Sequence, residues 1–87
     1  MILGLDMDSY YESLKMVLGD IGIQILKALR LGPMDVKSIA FLTGVPLACV
    51  KGRIPVLKSL DLIRDNKKKV ALDKEGEKFL DLLEKRM

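Results

Sequence analysis

From residue 7 onward the apolar residues fall at steps of three and four. Tyr11, Leu14, Val17, Leu18 and Ile21 form one stripe, which predicts an amphipathic helix starting near Met7 or Asp8, with Asp8 or Ser9 as its cap. Gly19 and Gly22 interrupt the stripe, and either can mark a break between two helices. A second helix is predicted over 20–31, with Ile21, Ile25, Ala28 and Leu29 inward; Gly32-Pro33 ends it, since Pro33 has no N–H for the ladder. Asp35 then caps a short helix over 36–42 whose inner face is Val36, Ile39 and Ala40. Thr43-Gly44-Val45-Pro46 makes a turn, and Pro46 suits the first position of a helix reaching about Leu60, with Leu47, Val50, Ile54 and Leu57 on one side.

Beyond that helix the period changes from three or four to two. Leu62-Ile63-Arg64 and Val70-Ala71-Leu72 read as short strands joined by the polar tip Asp65-Asn66-Lys67-Lys68-Lys69. The tail is helical again, with Gly76, Phe79, Leu80 and Leu83 on one face and Leu82 to the side. The pattern predicts one mainly α domain with a small β-hairpin over residues 1–87. Its parts are an N-terminal helix at 1–19, a three-helix core at 20–60, a hairpin at 62–72 and a C-terminal helix at 73–86.

Composition narrows the chemistry. A chain of 87 residues buries only roughly 60–65% of its unfolded surface, so a partner subunit would add useful core. There is no His and no Trp, and Cys49 is the lone cysteine, which excludes an intrachain disulfide and a cysteine-rich zinc site. Without His, a nucleophile–base pair or a glycine-rich phosphate loop, the chain reads as a binding protein and not as an enzyme, with no cofactor and no small-molecule ligand evident. Met1 to Leu5 is apolar but short and lacks a basic leader, and no apolar run approaches about 18 residues, so the expectation is a cytoplasmic protein with no membrane partner. Gln24 and Asn66 are the only side-chain amides amid many charges, a bias that points towards an archaeal or thermophilic source.

The net charge of +3 hides a polarised chain. Residues 36–70 hold Lys37, Lys51, Arg53, Lys58, Arg64, Lys67, Lys68 and Lys69 against Asp61 and Asp65, a net of +6, while the remainder carries −3. Such a basic stretch fits a polyanion, with a solvated lysine tip on a hairpin as the weaker alternative.

Several segments, in order, carry a resemblance: Ile25-Leu26-Lys27-Ala28-Leu29; the run from Val36 through Ser38, Ile39 and Leu42 to Thr43-Gly44-Val45; Val50, Ile54 and Leu57; Leu60-Asp61-Leu62-Ile63; and Ala71-Leu72-Asp73 through Phe79-Leu80. Together they resemble the winged helix-turn-helix superfamily, in particular small MarR- and ArsR-type regulators. The resemblance implies a recognition helix at 46–60 that enters the major groove of duplex DNA and a wing at 64–70 on the adjacent backbone. It makes the DNA-contact candidates Lys37, Ser38, Lys51, Arg53, Lys58, Arg64, Lys67, Lys68 and Lys69. It also implies a homodimer through the terminal helices, with Tyr10, Tyr11, Leu14, Phe79, Leu82 and Leu83 as interface candidates. Asp61 stands where the family usually has Gly, and Asp tolerates the left-handed backbone such a position asks for.

The outward face of the 46–60 helix is unusual for that role. At about 100° per residue, the side opposite Val50, Ile54 and Leu57 is Ala48, Gly52, Pro55 and Ser59, flanked by Cys49 and Val56. Base edges are normally read by Arg, Lys, Asn or Gln. Here Lys51 and Arg53 lie on opposite flanks and Lys58 nearer the end. Pro55 inside a helix costs about 3 kcal/mol unrelieved and predicts a kink or break near Lys51-Gly52. The small apolar face also suits an alternative role, a winged-helix module that docks on another protein. Cys49 is read as a small apolar filler ahead of a redox sensor.

Overall fold

The computed structural model describes residues 7–86, in the order α1 (Met7–Leu29), α2 (Val36–Thr43), α3 (Leu47–Ser59), β1 (Ile63–Asn66), β2 (Lys69–Leu72) and α4 (Lys74–Lys85). The apolar start at Met1 to Leu5 lies outside the described residues. Helix α1 is two helices joined at a kink: Gly19 has φ 63° and ψ −177°, outside any helical region, and splits it into segments 7–18 and 20–29. Of the two candidate glycines, Gly22 stays helical, and a Cβ there would lie 3.0 Å from that of Leu18. Asp8 and Ser9 both lie within the helix, past its first described residue. Val17 leaves the predicted inner stripe and is exposed, since the first segment packs through the narrower line of Tyr11, Leu14 and Leu18. The second segment ends at Leu29, two residues early, and Leu31 is exposed.

Helix α2 begins as its sequence requires. The Asp35 carboxylate accepts the Ser38 N–H at 2.8 Å. At the other end Gly44, at φ 76°, donates its N–H to the Ala40 carbonyl, the left-handed ending that glycine takes without strain. Pro46 is the N-cap of α3 and not its first helical residue. The helix then runs unbroken through Gly52 and Pro55 to Ser59, so the predicted break is absent. Both residues are exposed, and a position facing solvent lets water take the carbonyl that Pro55 leaves without a donor. Helix α3 ends in a Schellman arrangement: Asp61 donates to the Lys58 carbonyl at 3.0 Å and Leu62 to the Leu57 carbonyl at 3.1 Å.

The two strands pair antiparallel with Ile63 opposite Leu72 and Asn66 opposite Lys69. They extend further towards the tip than the apolar pattern indicates, leaving only Lys67 and Lys68 as the turn. The ladder is made by backbone groups, so polar Asp65, Asn66 and Lys69 continue it although they bury nothing. Met34 adds a rudimentary third strand, exchanging two backbone hydrogen bonds with Val70 at 2.9 and 3.0 Å. This ties the connection between α1 and α2 to the hairpin.

One core gathers all these elements. Ile25, Leu26, Ile39, Val50, Leu57, Leu62, Phe79 and Leu80 are among its fully enclosed side chains. Tyr11 stacks on Phe79 with ring centroids 5.5 Å apart, joining the first segment of α1 to α4. Helix α4 starts at Asp73, which donates its N–H to the Leu62 carbonyl and caps Lys74 with its carboxylate. Its first turn rides so near this strand that a Cβ on Gly76 would overlap the Leu62 carbonyl oxygen.

Candidate nucleic-acid interface

The basic candidates divide into two groups. Lys67 and Lys68 form the hairpin turn and Lys69 opens β2; all three are exposed. With Asn66 and Pro33 they border a shallow concavity of about 550 Å³. Lys37, in the first turn of α2, belongs with them. Both Lys37 and Lys69 act on the Asp35 carboxyl, which is held below its ordinary value first by the Ser38 backbone N–H, then by the Ser38 side chain, then by these cations. Ser38 therefore serves the cap of α2. Lys51 is exposed on α3. None of Lys37, Lys51, Lys67, Lys68 or Lys69 is within ion-pair distance of an acidic side chain among the described residues.

The second group is spent on the fold. Half-buried Arg53 sends Nη1 to the Leu18 carbonyl at 3.0 Å, supplying a donor at the Gly19 kink where the helical ladder stops. Lys58 pairs with Asp65 on β1 at 2.7 Å, fixing the end of α3 to the hairpin. Arg64 donates to the Leu72 carbonyl and lies 3.9 Å from the Asp73 carboxylate. Spacing along the chain revealed none of these partners, because Leu18 and Arg53 are brought together only by the packing of α1 against α3.

Lys67 also carries backbone strain. With Asp61 it is one of two non-glycine residues at positive φ among the described residues, at 62°. It lies in the two-residue turn at the tip of the hairpin, exposed.

The outward face of α3 is as poor in donors as its wheel indicates. Ala48, Gly52, Pro55 and Val56 are exposed, and the Ser59 hydroxyl donates to the Val56 carbonyl at 2.7 Å. Cys49 is exposed as well, so its reading as a buried filler is corrected. Among the interface candidates, Tyr11, Leu14, Phe79 and Leu83 are buried in the core of a single chain. Pairing through them would require opening that core; Tyr10 and half-buried Leu82 remain at the surface, and the Tyr10 hydroxyl already donates to Glu75 at 3.1 Å.

Sequence reasoning missed several apolar exposures, Met16 on α1 among them. Phe41 is 88% exposed and Leu31 78%, and Leu42 and Leu31 border a groove with Gln24, Lys27, Ala28 and Thr43. A wheel drawn on α2 would have found Phe41, which lies about 200° from Ile39. Among the described residues no group of His, Cys, Asp or Glu could hold a metal ion, and no single helix is long and apolar enough to cross a membrane. The chain matches no protein-family model, and no curated protein is similar to it in sequence.

Proposed function

We propose that this chain is a winged helix-turn-helix protein that binds duplex DNA, with α3 in the major groove and the β1–β2 hairpin as the wing. The element order supports the reading, as do the short connection from Gly44 to Pro46 between α2 and α3 and the Met34 bridge that makes a small three-stranded patch. The observation that carries it is that Lys67, Lys68 and Lys69 border one concavity with Pro33 while Lys37 and Lys69 both act on Asp35, none of the four within ion-pair distance of an acidic side chain among the described residues. Cations drawn from two separated stretches of chain and left unpaired are suited to phosphates, and releasing counterions from DNA provides the driving force.

The test is anisotropy of a labelled duplex of arbitrary sequence titrated at several salt concentrations. Five unpaired lysines, counting Lys51, predict a log–log slope of about −4.5. Changing Lys67, Lys68 and Lys69 together to Ala should bring it to about −1.8. Absence of binding at low salt would refute the reading. A second reading, a protein-docking module, is favoured by exposed Leu31, Phe41 and Leu42. The same titration separates the two, since an apolar protein contact does not weaken steeply with salt.

A further inference from the structure

We infer that this chain holds duplex DNA without reading its base sequence, an inference that rests on the DNA-binding reading and specifies its substrate as duplex of any sequence. The argument is an inventory of donors on α3. Reading a base edge calls for a side chain that reaches into the groove with unspent donors, and the discriminating contacts are mostly bidentate: Arg on guanine, Asn or Gln on adenine. Helix α3 contains no Asn or Gln. Its one Arg, Arg53, is half-buried and directs Nη1 to the Leu18 carbonyl, which fixes the guanidinium beside α1. Lys58 is paired with Asp65, and the Ser59 hydroxyl is turned back to Val56. The exposed remainder, Ala48, Gly52, Pro55 and Val56, offers no side-chain hydrogen-bond donor, and the Cys49 thiol is only a weak one.

Lys51 is the exposed side chain of α3 whose strong donors make no contact within the described residues, and an ammonium is a point charge without the planar fork that matches guanine O6 and N7 together. One well-made bidentate contact discriminates between bases roughly 5- to 150-fold. A surface that makes none leaves the free lysines to grip phosphates, which are the same at every step. On this account the small residues of α3 let the helix lie close to the groove walls, and Lys37, Lys51 and the hairpin lysines set affinity.

The experiment is selection of bound duplexes from a random-sequence library by the full chain, followed by direct titration of several recovered and unrecovered duplexes at one fixed salt concentration. The result expected is no enriched motif and affinities that agree within about threefold. Longer duplexes should take up protein in proportion to their length. Lys51→Ala should weaken all duplexes by the same factor. An enriched motif bound tenfold or more above the pool would overturn the inference while leaving the DNA-binding reading intact. Failure of every duplex to bind at low salt would overturn both.

Discussion

Asp61 and Gly76 show how single backbone positions shape this fold. Asp61 takes φ 61° directly after α3, where the two closing hydrogen bonds of the helix demand a left-handed residue. An L side chain is strained there, although Asp is among those least so. Asp61→Gly should therefore stabilise the chain by about 0.5–1 kcal/mol, read as a higher urea midpoint. Gly76 is the opposite case. Its φ is ordinary for a helix, but α4 approaches Leu62 too closely for a methyl group. The neighbour is backbone, a carbonyl fixed by the Asp73 N–H, and cannot turn aside, so Gly76→Ala should cost about 1–3 kcal/mol in the same measurement.

Among the elements, α1 and α3 are coupled through Arg53. The kink at Gly19 lets the first segment of α1 swing onto α4 while the second stays in the helical core, and it leaves carbonyls at the break without intrahelical partners. Arg53 takes one of them. Arg53→Ala should lower stability by about 1 kcal/mol and leave the salt slope of DNA binding unchanged. A flatter slope without loss of stability would instead make Arg53 a phosphate contact.

The cap of α2 makes a pH-dependent contribution. The Asp35 carboxyl titrates below its unfolded value, chiefly through the Ser38 N–H, so it stabilises the fold above the ordinary carboxylate range and loses that effect as pH falls through its lowered value. Asp35→Ala should melt below the parent chain at neutral pH, and the gap should close in thermal melts taken well below pH 4.

At the scale of the whole molecule, polarity and not net charge decides the proposed function. A net +3 would attract DNA only weakly if spread evenly. Arg30 is committed to Asp81 and Glu84 and Lys78 to Glu75, so acidic side chains of α4 are answered locally. The lysines of the hairpin and of the first turn of α2 form no ion pair among the described residues, with Lys37 and Lys69 sharing only the longer-range field of Asp35. The loss of slope predicted for the triple lysine variant belongs to this scale, because it depends on several separated cations meeting one polyanion and on no single contact.

The sequence by itself determined where most elements lie and which sides face inward. Hydrophobic period, Gly32-Pro33 and the Asp35 cap are local facts, settled by covalent geometry and by solvent within a few residues. The same locality made the exposed lysines of the hairpin legible. Tertiary structure alone decided which charges are free, because partners such as Leu18 with Arg53 and Lys58 with Asp65 meet only after packing. It also chose Gly19 over Gly22 as the break. It buried Tyr11 and Phe79 against each other, because apolar surface on two terminal helices is removed from water most readily by the nearest apolar surface, which here belongs to the same chain.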